Sequence, residues 1–305
     1  MRRIFLVDDM QHTPFVDEAF LELAKLEVVA APRLADFVVS RRLAWITPEI
    51  MDHGRPAIAW SHEPFFAPDV PPYVRSHHGG REAFVFSVWN RNVYTDNYYY
   101  APRRRQNLDF VRPGDATLTK LSNRRAIVLA RYSERSLMIG GRDVSLYSKR
   151  SRLALALNAA DACEIHGRDW PGNVSVSDSR DGGRTTTKLA ELSRFPFALC
   201  SENCIGDFYV TEKIWEAIEG GSLPLYYSQP SLAGLFPEDS FIDLSSREYA
   251  EPERLVELMK TMSEDEWIER MNRCIAVYRT ACQRSLQRLS RERTRKILIS
   301  FIDSI

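Results

Sequence analysis

Short apolar runs alternate with amphipathic helical patterns along this chain of 305 residues. Residues 3–9 (RIFLVDD) are typical of a buried strand. Residues 13–26 then carry apolar side chains at i, i+3, i+4 and i+7 spacing, which predicts a helix with Thr13 as its cap and Pro14 in its first turn. Further strands are predicted at ADFVVS, AIAWS and AFVFSVW. Strands alternating with helices indicate an α/β sheet.

The alternation stops and restarts once. Residues 101–125 are polar, basic and interrupted by Pro and Gly, which predicts a linker. A new apolar strand, RAIVLARYS, follows, and the chain beyond about residue 245 looks mostly helical. We therefore predict two Rossmann-like domains that face each other across a cleft. Their predicted bounds are 1–120 and 121–285, followed by a C-terminal helix at 286–305.

Composition narrows the choice of partners and compartment. Lys plus Arg and Asp plus Glu both number 41, so no net charge favours nucleic acid as a partner. The five cysteines lack zinc-site spacing, and we interpret them as reduced thiols. The first ten residues are too short an apolar stretch for a signal peptide, and no run of apolar residues is long enough to span a membrane. These features predict a cytoplasmic protein.

The last segment of the chain, 284–305, has two interpretations. Basic residues precede a cluster of apolar ones, as in a helix that lies in a membrane interface. That interpretation would allow peripheral contact with an inner membrane. The alternative is a terminal helix that packs on the domains and exposes a basic face.

A βαβ unit surrounds the most unusual segment, DFYVTEKIWEAIEGGSLPLYY at 207–227. The pattern predicts a strand at 195–200, a helix at 211–219 and a strand at 222–227. Thr211 is predicted as the N-cap, and Gly220 as the left-handed residue after the helix. In such a unit, ligands bind where the helix begins, at the carboxyl end of the preceding strand.

An acid and a base stand side by side in the first turn of this helix. Glu212 is favoured by the helix dipole by about 0.3–1 kcal/mol, whereas Lys213 is disfavoured there. The lysine is reasonable if an anion such as a nucleotide diphosphate binds at the helix start. The alternative is that Lys213 points into solvent.

The stretch FALCSENCIGDFYVTEKIWEAIEGGSLPLYY resembles the signature of the α1,3-fucosyltransferases, glycosyltransferase family 10. That signature runs approximately F-x-L-x-F-E-N, a short gap, D-Y-V-T-E-K and a Pro-containing strand. Ser201 stands where the family usually has Phe, and Phe208 is an insertion. The matching residues are Phe197, Leu199, Glu202, Asn203, Asp207, Tyr209, Val210, Thr211, Glu212, Lys213 and Pro224. The resemblance implies a GT-B fold and transfer of fucose from GDP-fucose to a glycan hydroxyl, with inversion and without a metal or other cofactor.

The resemblance also implies roles for single residues. Glu202, Asn203 and Tyr209 would contact the donor. Lys213 would face its diphosphate, and Glu212 would face either the ribose hydroxyls or the sugar. The segment RSRLALALNAADACEIHG is similar to a family helix whose Arg reaches the phosphates. Arg150 fits that position, Arg152 is an alternative, and a surface arginine is the plain interpretation.

The acceptor side is predicted from two weaker similarities. The stretch IAWSHEPFFAP looks like the family's general-base motif, which implies Glu63 as the base that deprotonates the acceptor hydroxyl, with His62 as a competing base. The loop SVWNRNVYTDNYYYAPRR loosely resembles a family acceptor loop, which implies Asn97, Tyr98 and Tyr99 on the acceptor side. A packed or exposed aromatic loop is the alternative for these three.

Two other functions stay open. The same fold could use another GDP-sugar or a UDP-sugar, or the chain could be a catalytically weak relative that binds a nucleotide or a glycan. No D-x-D metal motif occurs, which agrees with cationic side chains in place of a metal. Animal and plant family members carry an N-terminal anchor and luminal disulfides, so the resemblance favours a bacterial cytoplasmic enzyme with an oligosaccharide or glycoconjugate acceptor.

Overall fold

The computed structural model describes residues 1–51, 55–64, 73–75, 82–139, 141–178 and 184–305. The chain divides into two compact units. The first unit comprises residues 1–95, 139–141 and 288–305, and the second comprises residues 96–138 and 142–287.

The helices and strands follow each other in the alternating order that the hydrophobic pattern predicts. The strands are β1 (Arg2–Leu6), β2 (Leu26–Val28), β3 (Phe37–Ser40), β4 (Ala57–Trp60), β5 (Tyr73–Arg75), β6 (Glu82–Phe86), β7 (Ala126–Leu129), β8 (Met138–Ile139), β9 (Arg142–Asp143), β10 (Cys163–His166), β11 (Ser175–Ser177), β12 (Phe197–Leu199), β13 (Leu223–Tyr226) and β14 (Ile242–Asp243). The α-helices are α1 (Glu18–Leu23), α2 (Pro48–Met51), α3 (Tyr147–Ala159), α4 (Arg184–Ser193), α5 (Glu212–Glu219), α6 (Pro252–Thr261), α7 (Glu264–Ala281) and α8 (Arg284–Ser304).

The first unit is built on a six-stranded sheet with the order β2-β1-β3-β4-β6-β5. Strand β5 pairs antiparallel with β6, and the other pairs are parallel. Every residue of β3 and β4 is buried, as expected for parallel strands covered on both faces. Between β1 and β3 the strand order reverses, which is where doubly wound sheets bind ligands.

The second unit is built on a six-stranded, fully parallel sheet with the order β11-β10-β7-β12-β13-β14. Counted within the unit, this is the strand order 3-2-1-4-5-6 of the Rossmann fold. Its reversal point lies between β7 and β12. The predicted fold class, two Rossmann-like α/β sheets, is therefore confirmed.

Helix α8 packs on the first unit. Leu298 and Ile302 are buried, and the ring of Phe301 meets the rings of Phe84 and Phe86 edge-on, with centroids 4.5 and 5.1 Å apart. This burial of the apolar side supports the packing interpretation of the C-terminal segment. Within the described part of the chain, no helix combines the length and apolarity needed to cross a bilayer.

Two local predictions near the start and middle of the chain are corrected. Residues 13–26 do not form one helix, because a 3₁₀ turn (Pro14–Val16) precedes α1 and Asp17 caps α1 through its carboxylate. The hydroxyl of Thr13 donates to the carbonyl of Met10 and caps no helix. The stretch 101–125, predicted as a linker, belongs to the second unit and buries Leu118 and Leu121 in its core.

The glycine assignment after α5 is also corrected. Gly221, with φ +71°, takes the left-handed conformation, whereas Gly220 has φ −74°. Gly220 is required for another reason. A Cβ at this position would lie 2.4 Å from the Cβ of Leu192 on α4, so the two helices could not pack as closely.

Candidate functional site

The segment singled out by sequence lies at the reversal point of the second sheet. Strand β12 ends at Leu199, the loop 200–211 follows, and α5 begins at Glu212. Because β12 adjoins β7 at this point, the loop and the first turn of α5 line the edge where a parallel sheet binds its ligand. The first turn of α3, with Arg150, follows β7 in the same half of the fold.

Glu202 is the centre of a buried polar network. Its side chain has no exposed surface. Its carboxylate accepts hydrogen bonds from the backbone N–H and the hydroxyl of Thr211, both at 2.7 Å, from the hydroxyl of Tyr226 at 3.0 Å and from Nζ of Lys213 at 3.2 Å. Glu202 therefore lies beneath the surface of the site and contacts protein groups that themselves begin or flank α5.

Thr211 occupies the N-cap position of α5, as predicted, but its side chain does not cap the helix. Its hydroxyl donates to Glu202 and accepts from Nζ of Lys213 at 2.8 Å. The competing carboxylate explains the difference, since a hydroxyl hydrogen-bonds more strongly to a charged acceptor than to a backbone N–H. The first-turn N–H groups of α5 are therefore not occupied by this side chain, and a helix start of this kind favours anions.

Lys213 and Glu212 form an ion pair at the start of α5. The Nζ of Lys213 lies 3.5 Å from Oε1 of Glu212, whose side chain is 31% exposed. Burial acts to raise the pKa of Glu212, but Lys213, Lys188 and Arg103 outweigh it and lower that pKa to about 2. Glu212 is consequently an anion at neutral pH, surrounded by cations.

Arg150 is a buried cation beside the same loop. Its guanidinium donates from Nη1 to the carbonyl oxygen of Ser201 at 3.0 Å and lies over the ring of Tyr147, 5.7 Å from the centroid. Burial lowers the pKa of Arg150, while Tyr147, Glu202 and Tyr209 act in the opposite direction. Its buried Nε has no hydrogen-bond partner in the structure, and neither has the hydroxyl of Ser201. Buried polar groups of this kind ordinarily find a partner in a ligand or in water.

The two arginines of α3 lie on different faces of the helix. Arg150 is buried against the loop after β12, whereas Arg152 is exposed. Which of the two contacts a phosphate stays a prediction.

Asn203 and Tyr209 lie in the loop between β12 and α5. The carbonyl of Asn203 accepts from the N–H of Leu146 at 3.0 Å, which ties the loop to the start of α3. Tyr209 is buried, and its carbonyl accepts from Nε2 of Gln229 at 3.1 Å. The Oε1 of Gln229 accepts from the N–H of Gly206 at 3.0 Å.

Sequence reasoning did not identify Gln229. This residue is buried and follows β13 at the carboxyl edge of the sheet. A polar residue three positions after an apolar strand, next to the strand that carries the motif, was the signal available.

Glu63 and His62 lie in the first unit, directly after β4. Glu63 is exposed, and its N–H donates to the hydroxyl of Ser61 at 3.1 Å. The Nε2 of His62 accepts from the indole N–H of Trp60 at 3.2 Å, and the carbonyl of His62 accepts from the hydroxyl of Tyr94. The lone pair of that imidazole nitrogen is therefore engaged, and the choice between Glu63 and His62 as the base stays a prediction.

The residues predicted for the acceptor side are packed in the second unit. The amide of Asn97 donates to the carbonyl of Ser231 at 2.9 Å. Tyr98 packs against the core, and burial raises its pKa. Tyr99 is 8% exposed and its ring lies 5.8 Å from that of Tyr100. These contacts support the alternative of a packed aromatic loop, and the acceptor role stays a prediction.

Among the described residues, one group of three potential metal ligands appears. These are Glu164, His166 and Glu191, whose ligand atoms lie within 4.8 Å of one another. They belong to β10 and α4, not to the motif. The carboxylate of Glu191 pairs with Arg194 at 2.6 Å, and Oε1 of Glu164 lies 2.9 Å from Nε2 of His166.

Comparison with known families supports the sequence resemblance. Residues 142–272 match the model described as "Glycosyltransferase family 10 (fucosyltransferase) C-term". This range includes Arg150 and every motif residue up to Pro224. The predicted resemblance to this family is confirmed over the matched residues.

Relatives with curated names match a shorter part of the chain. GDP-fucose protein O-fucosyltransferase 3 of Gallus gallus is 29% identical over 102 residues, which is 33% of this chain and 21% of the relative. The protein of the same name from Bos taurus is 33% identical over 75 residues, 25% of this chain and 16% of the relative. The chain thus spans about a fifth of the length of these relatives.

The fold is shared with a solved α1,3-fucosyltransferase. That crystal structure aligns with 88% of this chain and 81% of its own, with a TM-score of 0.51 and 16% sequence identity. At this identity the likeness concerns the fold, and it extends over both α/β units.

Proposed function

We propose that this chain, whose residues 142–272 match the glycosyltransferase family 10 (fucosyltransferase) C-terminal model, transfers fucose from GDP-fucose to a hydroxyl of a glycan acceptor, with inversion and without a metal ion. The observation that carries this proposal is that the family match coincides with the cationic edge of the second sheet, where Arg150, Lys213 and the start of α5 converge.

The donor diphosphate is the group that this edge suits best. The guanidinium of Arg150 offers an unpaired Nε–H, and the first turn of α5 offers backbone N–H groups. Lys213 adds a second cation. As the bond to the sugar breaks, negative charge grows on the leaving GDP, and preorganised donors stabilise it where it develops.

Glu212 would act on the other end of the donor. Its pKa of about 2 keeps it ionised at neutral pH. An ionised carboxylate can accept hydrogen bonds from ribose hydroxyls, or it can stabilise positive charge on an oxocarbenium-like sugar. Both roles explain why an acid adjoins the base Lys213.

The acceptor hydroxyl needs a base, and Glu63 is our candidate. A hydroxyl is a weak nucleophile at neutral pH and must lose its proton as it attacks the anomeric carbon. Glu63 presents an exposed carboxylate after β4, whereas Nε2 of His62 is engaged by Trp60. Asn97, Tyr98 and Tyr99 remain weaker acceptor-side candidates.

A protein hydroxyl is the second acceptor class. The curated relatives are named GDP-fucose protein O-fucosyltransferases, which is the observation that supports a protein acceptor as the second candidate. Another GDP-sugar or a UDP-sugar as donor, or nucleotide binding with weak catalysis, are the alternatives to fucosyl transfer. We place the protein in the cytoplasm, where α8 could also touch an inner membrane through its basic residues.

The deciding experiment measures nucleotide binding and turnover separately. Isothermal titration with GDP, UDP, GDP-fucose and UDP-glucose should give the tightest binding for the two guanosine compounds. Release of GDP from GDP-fucose should then rise on addition of glycan or peptide acceptors, and NMR of the product should show the inverted anomer. Tighter binding of UDP would contradict the donor, and binding of GDP without turnover would indicate the weakly catalytic relative.

A further inference from the structure

The buried position of Glu202 calls for an explanation. A carboxylate without exposed surface costs several kcal/mol unless charge and hydrogen bonds compensate it. Its four donors come from three places: Thr211 before α5, Lys213 in its first turn, and Tyr226 at the end of β13. Glu202 therefore connects the start of α5 to the neighbouring strand.

The partners of Glu202 hold its orientation. Tyr226 is fully buried, and burial and the neighbouring Glu202 raise its pKa well above the ordinary value, so its hydroxyl remains a donor at ordinary pH. Thr211 is 4% exposed and donates from both its N–H and its hydroxyl. With three fixed donors, the carboxylate of Glu202 has a defined oxygen directed at Lys213.

Lys213 has two kinds of partner. On its inner side, Nζ contacts Oε2 of Glu202 at 3.2 Å and the hydroxyl of Thr211 at 2.8 Å. On its outer side, Nζ lies 3.5 Å from Oε1 of Glu212, which is the longest of the three contacts and involves a partly exposed carboxylate. The inner contacts are fixed by the fold, whereas in the outer one another anion can take the place of the Glu212 carboxylate, because both groups are partly exposed.

We infer that Glu202 is a positioning residue for the donor: together with Thr211 it holds the ammonium of Lys213 in place while an incoming diphosphate displaces Glu212 from it. The inference rests on the proposed function, since it assumes that a nucleoside diphosphate binds at this edge. It also gives Glu212 two successive partners. The carboxylate pairs with Lys213 before the donor binds, and once displaced it becomes available to hydroxyl groups of the same donor. Glu202 itself, having no exposed surface, acts through Lys213 and does not contact the donor.

A double-mutant cycle tests the inference. The affinity for GDP is measured by titration calorimetry for the unaltered chain, Glu202→Gln, Lys213→Met and the double variant. We expect each single change to weaken GDP binding about tenfold, equivalent to about 1.4 kcal/mol. In the Lys213→Met background, Glu202→Gln should change the dissociation constant less than about twofold, because its effect passes through the missing ammonium.

A merely structural role gives a different result. If Glu202→Gln weakens GDP binding by the same factor with and without Lys213, or leaves it unchanged, or tightens it, the inference is wrong. If the unaltered chain does not bind GDP, the proposed function is contradicted, and the inference is lost with it. The two failures are therefore distinguishable from one set of titrations.

A further variant keeps the inference testable if Glu202→Gln does not fold. Thr211→Val keeps the backbone N–H bond to Glu202 but removes the hydroxyl that links Glu202 to Lys213. It should weaken GDP binding roughly threefold, and this effect should also vanish in the Lys213→Met background. An additive effect would overturn the inference even if Glu202→Gln does not fold.

The matched control lies at the other end of α5. Glu219 accepts a hydrogen bond from the hydroxyl of Tyr278 at 2.7 Å, as Glu202 does from Tyr226, but it is remote in sequence from the first turn. Glu219→Gln should leave GDP affinity within twofold of the unaltered chain. If Glu219→Gln weakens GDP binding as much as Glu202→Gln does, both losses of affinity come from general destabilisation, and the inference is contradicted.

Discussion

Arg150 donates a hydrogen bond to the carbonyl oxygen of Ser201 at 3.0 Å, and this contact joins the first turn of α3 to the loop that follows β12. Both residues also carry a buried polar atom without a partner, Nε of the arginine and Oγ of the serine. Sequence reasoning noted Ser201 as the departure from the family's Phe. In the structure its backbone orients the guanidinium, a role that does not depend on the side chain at this position.

Arg150 and Arg152 form a matched pair for a binding test. Arg150→Met should weaken GDP binding by about 10- to 100-fold, because it removes a charge-assisted contact to a phosphate. Arg152→Met, on the exposed face of the same helix, should have an effect below twofold. Calorimetric titration of both variants with GDP checks the expectation. Equal losses for the two arginines would indicate a general effect of helix charge.

Glu63→Gln should abolish transfer while leaving donor binding intact. Removal of a general base ordinarily lowers turnover by about 10²–10⁴-fold. The dissociation constant of GDP should stay within twofold, since Glu63 belongs to the first unit and the donor residues to the second. Steady-state turnover and GDP titration give the two readouts. His62→Gln serves as the comparison, and a larger loss of turnover for His62→Gln would make the histidine the base.

The loss of folding stability at acidic pH should depend on Glu212. Its pKa is about 2 when folded and near 4.5 when unperturbed, so the unfolded chain binds its proton first as pH falls. The contribution of ionised Glu212 to the free energy of unfolding is present above about pH 4.5 and is lost as the pH falls from 4.5 to about 2. Urea unfolding across this range should show that the unaltered chain loses about 1–3 kcal/mol more than Glu212→Gln. Parallel pH profiles for the two proteins would contradict the depressed pKa.

Chelation should leave transfer unchanged. The cationic groups at the start of α5 and on α3 are proposed to neutralise the leaving diphosphate, which is the task of a metal ion in other glycosyl transfers. Turnover in EDTA should equal turnover with added Mn²⁺ or Mg²⁺. If activity needs a metal, Glu164→Gln and Glu191→Gln would test whether the group around His166 holds it.

Gly220→Ala should destabilise the fold. The added Cβ would meet the Cβ of Leu192 at 2.4 Å, and overpacking of this kind costs about 1–3 kcal/mol. Gly234 is the control, because a Cβ there meets nothing within 4 Å. Thermal and urea unfolding of Gly220→Ala and Gly234→Ala should differ by that amount. If Gly220→Ala is as stable as Gly234→Ala, α4 and α5 can move apart to accommodate the added Cβ without a measurable cost.

Hydrophobic periodicity predicted the two α/β sheets, because the buried parallel strands of this class are continuous apolar runs. The segment 207–227 was singled out for a different reason, because Lys213 opposes the local helix dipole and the segment resembles a family signature. The partners of its charged side chains could not be predicted. Whether the hydroxyl of Thr211 caps α5 or bonds Glu202 depends on where a carboxylate nine residues earlier is placed, which is a tertiary property.

The choice between Gly220 and Gly221 illustrates the same limit. Two adjacent glycines can both adopt a left-handed conformation, so sequence does not decide between them. In the structure Gly220 continues the helix with φ −74°, and Gly221 ends it with φ +71°. Gln229 was missed because its contacts are to backbone atoms of a loop about twenty residues away, and such contacts leave no side-chain pattern.

The packing of α8 on the first sheet has a consequence for biosynthesis. Phe84 and Phe86 emerge from the ribosome about two hundred residues before Phe301, whose ring covers them. During translation an apolar face of the N-terminal sheet therefore stays exposed until the whole of the second unit and then α8 have been synthesised. Long-range closure of this kind slows folding and exposes intermediates to aggregation. Loss of a few C-terminal residues would thus destabilise the part of the protein that is synthesised first.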